Sequence, residues 1–311
     1  MKVMGLMIFA LAVWFATPCF GQDIPTLERV WGSLGTGPGQ FGRVQGIAVA
    51  PDGNIYTVDA DLCRVSIFTP SGVFVRSYGS CGTGVGQLRI PKDIAISPLG
   101  RVYVADYNNG RISVFAADDS PLSPMPLPPA ASGVTSLAFS PDGQYLYALL
   151  GSGEVQTYDT LGVMLGKWSA RGAGSIGGIC VSPNGTVYVP SGGCGIKGYS
   201  SNQIGLILSS WNDNLRCPGQ FGVAVEGDSV VLATNGDSVL KYSSSGSFEA
   251  AWSTYGADPA PTSSGPFDIA VSLLDRSIYV IDSTYGRILK FAYGATPVHR
   301  STWGGLKLRY R

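Results

Sequence analysis

Short apolar runs, each closed by a turn signal, divide the chain into copies of one unit. The clearest is Gly46-Ile47-Ala48-Val49-Ala50-Pro51-Asp52-Gly53. It returns as Asp93-Ile94-Ala95-Ile96-Ser97-Pro98-Leu99-Gly100, as Ser136-Leu137-Ala138-Phe139-Ser140-Pro141-Asp142-Gly143, and as Gly178-Ile179-Cys180-Val181-Ser182-Pro183-Asn184-Gly185. Looser copies are Gly222-Val223-Ala224-Val225-Glu226-Gly227-Asp228 and Asp268-Ile269-Ala270-Val271-Ser272-Leu273-Leu274-Asp275. A continuous apolar run of this length, rich in Ile and Val, suits a strand buried on both faces. The Pro-Asp-Gly or Pro-Asn-Gly behind it is a turn by composition. The first apolar positions, Ile47, Ile94, Leu137, Ile179, Val223 and Ile269, recur every 42–47 residues.

Three further strands are predicted in each copy. The second carries Tyr56, Tyr103, Tyr147, Tyr188 and Tyr279, with Val231 in the fifth copy. The third ends in an aromatic every time: Phe68, Phe115, Tyr158, Tyr199, Tyr242 and Phe291. Agreement across all six copies assigns these rings to packing between neighbouring units. The fourth often ends in an aromatic, at Tyr78, Trp168, Trp211 and Trp252. The second copy departs, because Ser120 to Ala131 holds five prolines and predicts an irregular edge strand.

Four strands in such a period make one propeller blade. The pattern therefore predicts an all-β, six-bladed β-propeller of four-stranded antiparallel blades. Its closure follows from spacing. Trp31 precedes Ile47 by the same distance as Tyr78 precedes Ile94, and Gly35-Thr36-Gly37-Pro38-Gly39-Gln40-Phe41 matches Gly82-Thr83-Gly84-Val85-Gly86-Gln87-Leu88. Residues 26–33 are thus an outer strand ahead of the first blade. In a ring that strand belongs to the sixth blade, where pairing with residues 266–293 would cover two edges. Val298 to Trp303 also resembles an outer strand, and its place as a fifth strand or a tail stays open.

Composition agrees with many tight turns: 43 Gly and 14% charged residues. Lys+Arg and Asp+Glu are equal at 21 each, which argues against a nucleic-acid surface. The single histidine, His299, excludes a multi-histidine metal site and argues against a Ser-His-Asp triad. At the N-terminus, Lys2 precedes an uncharged apolar run from Val3 to Ala16, too short for a comfortable membrane span. Small residues then lead to Gly21, so residues 1–21 read as a secretory signal peptide, 22–303 as the propeller and 304–311 as a tail. A secreted or periplasmic protein with no membrane span after cleavage is expected. Export permits disulfides. Cys63 opens a third strand and Cys81 follows a fourth, which predicts a bridge; Cys194 and Cys217 hold related positions in the fourth copy and predict a second, leaving Cys180 free. Asn184-Gly185-Thr186 fits a glycosylation acceptor.

The repeat resembles the NHL family of six-bladed β-propellers, on Gly39-Gln40-Phe41 through Phe68 and Gly86-Gln87-Leu88 through Phe115. The likeness covers nearly the whole mature chain and is weakest in copies three to five. The namesake histidine is absent, since Asn109-Gly110-Arg111 stands in its place. Such membership implies a fold and no one activity, because members include binding modules, sensors and enzymes.

Two constellations are candidates for chemistry. Asp59 with Arg64, Asp106 with Arg111, and Asp282 with Arg287 stand five residues apart across a hairpin turn, within reach of an ion pair. They are expected to be structural clamps, and the resemblance implies the same. Asp93 and Asp268 begin inner strands next to the axis and flank the first blade; with Gln45 they are expected to look into the channel mouth and bind a ligand. Hard cations such as Ca²⁺ want such oxygens, though normally six or more. No nucleophile–base constellation stands out, so no catalytic residue is assigned and no resident cofactor is expected. The expected function is an exported, monomeric, non-catalytic scaffold for a protein, peptide or glycan. The alternative is a metal-dependent propeller hydrolase or lyase, lactonase-like, with a carboxylate-held cation.

Overall fold

The apolar runs become the inner strands of the sheets: Val44–Val49, Pro91–Ile96, Val134–Phe139, Cys180–Val181, Val223–Glu226 and Asp268–Val271. The computed structural model describes residues 24–127, 133–170, 177–191, 195–201, 205–212, 222–227, 230–235, 238–254 and 268–294. These form an all-β propeller fold with four-stranded antiparallel blades. Among the described residues there are six four-stranded sheets and one two-stranded parallel pair, Ser80–Cys81 with Gln87–Leu88. In the first sheet the chain runs outward through Val44–Val49, Ile55–Asp59, Arg64–Phe68 and Phe74–Tyr78, each strand pairing with the next. The next four sheets repeat that order.

The last sheet is assembled from both ends of the sequence. Asp268–Val271, Ile278–Asp282 and Arg287–Ala292 supply three strands, and Thr26–Trp31 lies antiparallel against the third. Each inner strand contacts the inner strands on either side, and Val44–Val49 contacts Asp268–Val271.

The core lies between the sheets. All six aromatics that end the third strands are buried. Outer-strand rings reach the next sheet: Trp31 lies 6.4 Å from Phe68, Tyr78 4.9 Å from Phe115, Trp168 4.4 Å from Tyr199 and Trp252 6.3 Å from Phe291. Trp31 therefore packs as the other outer-strand rings do. In the second sheet the outer strand is Pro121–Pro126, bulged where it pairs with Arg111–Phe115. Met125 does the work of the missing ring, burying itself in one cluster with Tyr158.

Candidate functional site

The inner strands start at a collar of short side chains around the axis. Asp93 is 8% exposed. Its Oδ2 accepts the hydroxyl of Ser136 and the N–H of Leu137 at 2.8 Å, and its Oδ1 accepts the N–H of Ile94 at 2.7 Å. Ser136 Oγ accepts the N–H of Ile179 at 3.0 Å. Asp268 Oδ2 accepts the N–H of Ile47 at 3.0 Å, and its carboxyl also meets the N–H of Ile269. Where a side chain stands ahead of the apolar run, at Asp93, Ser136 and Asp268, it accepts an N–H from the next sheet.

Glycine holds the other three positions, and two of the three, Gly46 and Gly222, are followed in the next sheet by an Asp. Gly46 and Gly222 have no side chain to offer Ile94 and Ile269. A Cβ there would come within 2.6 Å of Asp93 Cα and 2.8 Å of Asp268 Cα, so the sheets meet too closely for any other residue. The Asp that follows each Gly serves two N–H groups, its own neighbour's and the next sheet's.

Gln45, Asp93 and Asp268 do gather at one end of the axis, but the carboxylates are engaged with backbone N–H groups. Burial pushes the Asp93 carboxyl up to about 6. Asp268 is raised well above its ordinary value by burial and then by the charge of Asp93. Gln45 Oε1 accepts from Lys92 Nζ at 3.3 Å, and that ammonium lies 5.6 Å from the centre of the Tyr107 ring. Burial, and then Arg43, lowers the Lys92 pKa. Among the described residues no group of three or more His, Cys, Asp or Glu comes together as a metal donor set.

Beyond the collar a cavity of about 660 Å³ follows the axis towards the turns that end the inner strands. Its wall starts at Ile47, Ile94, Leu137, Ile179, Val223 and Ile269 and ends at Pro51, Pro98, Pro141 and Pro183. Leu273 and Leu274 stand at its rim, 85% and 68% exposed. Among the described residues no charged side chain lines it. Cys180 forms part of the wall, its thiol pKa raised by burial and then by Asp268. The sequence pointed to the polar end of the axis and not to this apolar one, because the repeated Ile-Ala-Val reads equally as a strand buried on both faces.

The three Asp–Arg pairs divide. Arg111 Nε meets Asp106 Oδ2 at 2.9 Å, and Arg287 Nε meets Asp282 Oδ2 at 2.9 Å. Asp106 also accepts Asn109, Ser113 and the N–H of Arg89. Asp59 and Arg64 share the same cross-strand register but form no ion pair, which corrects that expectation. Both Asp59 oxygens are taken by the N–H groups of Gly42, Arg43, Asp61 and Leu62. Arg64 turns instead to the carbonyls of Thr36, Gly37 and Gln40. Arg111 makes the matching bonds to Thr83, Gly84 and Gln87 as well, so holding the preceding Gly-rich loop is what the two arginines have in common.

Cys63 and Cys81 are joined, with Cα atoms 4.9 Å apart, and Cys180 is free. Cys194, Cys217, His299, residues 1–21 with the expected signal peptide, and Val298 to Trp303 lie outside the described residues. A buried acid that the sequence did not single out is Glu226. It accepts from Arg276, from Lys241 at 3.1 Å and from the Tyr293 hydroxyl at 2.7 Å, clamping the fifth sheet to the sixth.

No helix among the described residues is long and apolar enough to cross a membrane. A family model described as NHL repeat matches residues 88–115, the stretch from Leu88 to Phe115. No curated protein matches the chain. Among solved structures, one titled "Streptogramin B lyase structure" superposes with a TM-score of 0.64 at 11% identity, covering 86% of this chain and 98% of that one. At that identity the likeness shows the fold alone, an all-β propeller.

Proposed function

We propose that this protein is an exported, monomeric, non-catalytic binding propeller that takes an uncharged, apolar ligand into its axial cavity. The observation that carries this reading is the chamber itself. Its size falls in the range of small-ligand pockets, and its wall is mostly apolar, with no charged side chain among the described residues. The ring is six-bladed and closed by the N-terminal strand in this reading, supported by the pairing of Thr26–Trp31 with Arg287–Ala292 and by the contact of the first and last inner strands. The Cys63–Cys81 bridge supports an oxidising compartment. The collar is the architectural end of the axis and the apolar chamber the receptive one.

A neutral, environment-sensitive dye such as Nile red tests the reading. Fluorescence enhancement should saturate, and Val181→Phe, which narrows the chamber, should weaken it several-fold. Phe139 holds the equivalent place in the third blade, so the fold has a precedent for that ring. Equal enhancement with and without the substitution would refute it. One observation favours the second reading, a metal-dependent hydrolase or lyase: Asp93 and Asp268 sit close enough to feel each other's charge. Stoichiometric calcium in the purified protein, lost on replacing both by Asn, would favour that reading.

A further inference from the structure

The chamber wall looks apolar by side chain but not by backbone. Each inner strand is the edge of its sheet, so half of its N–H and C=O groups face the neighbouring strand and half face away. The direction of each group is fixed by what its neighbours do. Ala50, Ser97, Ser140, Ser182 and Ser272 donate their N–H groups inward, to Asn54, Arg101, Tyr145, Thr186 and Ser277. Direction alternates along a strand, so the N–H groups one residue earlier, on Val49, Ile96, Phe139, Val181 and Val271, point the other way. The same parity puts the N–H groups of Ile47, Leu137 and Ile179 on the axial side, where Asp268, Asp93 and Ser136 accept them.

The collar thus caps the first rung of every edge it serves and leaves the second rung open to the chamber. Five residues spread round the axis, each bearing one donor and one acceptor, face a space walled mostly by apolar side chains. A purely aliphatic occupant would strip water from those groups and return nothing, a cost of roughly 1–3 kcal/mol for each group left unpaired. A charged occupant would find no countercharge among the described residues of the wall. The remaining chemistry is a neutral molecule that is apolar in its side groups and carries amide donors and acceptors.

We infer that the occupant of the axial chamber is an extended, uncharged, apolar peptide segment, which pairs with the free second rung at Val49, Ile96, Phe139, Val181 or Val271. This rests on the chamber being the ligand site. The Pro and Leu rim gives the segment an apolar entrance, and the collar gives it a floor.

Calorimetric titration of the full mature protein with a short, capped peptide of alanine and valine tests it, against the same peptide N-methylated on alternate amides. N-methylation keeps the apolar body and removes the donors. The unmodified peptide should bind about tenfold or more tightly than the methylated one, since one lost hydrogen-bonded pair is worth about that factor. Val181→Phe or Val271→Phe should reduce the affinity several-fold in protein that remains folded at the temperature of the titration. If one variant fails to fold, the other serves, and the methylation comparison needs neither. Equal binding of the two peptides would overturn the inference. Absence of peptide binding while Nile red still enters would overturn it and leave the chamber reading standing. Failure of both probes would overturn both.

Discussion

The backbone N–H of Ile47 donates to Oδ2 of Asp268 at 3.0 Å, across 221 residues of sequence. This bond ties the first inner strand to the last and sits beside the matching bond from Leu137 to Asp93. Asp268→Ala would leave the N–H groups of Ile47 and Ile269 without that acceptor. A loss of about 2–4 kcal/mol is expected in urea unfolding, from two groups at roughly 1–2 kcal/mol each. An unchanged midpoint would show that the collar does not hold the ring.

Asp93 makes stability depend on pH. Its folded pKa, about 6, lies above the ordinary 3.8 because burial penalises the charged form. The folded state therefore binds the proton more tightly than the unfolded chain. This group's contribution is fully present below the ordinary value and is lost as pH rises through about 6. Denaturation midpoints should fall between pH 4 and 6 in the native protein, by an amount on the order of 1–3 kcal/mol. In Asp93→Asn that slope should flatten. A slope identical in the two proteins would assign the titration elsewhere.

Asp106→Ala should cost more than loss of a surface ion pair. Asp106 is fully buried and holds Arg111, Asn109, Ser113 and the Arg89 N–H at once. Removing it leaves a largely buried guanidinium without its partner, at about 3–5 kcal/mol. Thermal unfolding measures this, and a loss under 1 kcal/mol would mean that Arg111 is held well enough by the loop carbonyls alone.

Gly72 has φ +80°, and a Cβ there would lie 2.6 Å from Trp31 Cδ2. Gly72→Ala should lower stability by about 1–3 kcal/mol, from backbone strain and displacement of that ring. Quenching of Trp31 fluorescence by acrylamide should rise in the variant. A neutral result would mean that the N-terminal strand does not seat there.

Replacing Cys63 and Cys81 together by Ser should cost about 3 kcal/mol in the chain-entropy estimate for a loop of 18 residues. Equal stability of the oxidised and reduced native protein would contradict it.

The repeat, the strands within it and the Cys63–Cys81 bridge were legible because each is local: an Ile-Ala-Val run, a Pro-Asp-Gly turn, a cysteine at each end of one hairpin. The collar was not. That Asp93 serves Leu137 and Asp268 serves Ile47 depends on which residue of the next copy comes alongside, and only the alternation of Gly46, Asp93, Ser136, Gly178, Gly222 and Asp268 hinted at it. The Asp–Arg spacing misled at Asp59 for a similar reason. Cys63, with φ 50° and a bond to Cys81, closes a turn in which the N–H groups of Asp61 and Leu62 reach Asp59 first. The chamber was hidden because a buried strand and a strand lining an axial space share one pattern of side chains; only backbone direction tells them apart.

The outer strand of the last sheet comes from the start of the chain, so that sheet cannot be completed on a ribosome until nearly every other strand has been made. Thr26–Trp31 is synthesised first and finds Arg287–Ala292 last. Until then two strand edges and the Trp31 ring stay open, and the loop to be closed is nearly as long as the sheet-forming chain itself. Such a contact should come late in folding and set its rate. A truncated product would carry five finished sheets and one unsatisfied edge, the kind of end that recruits another strand.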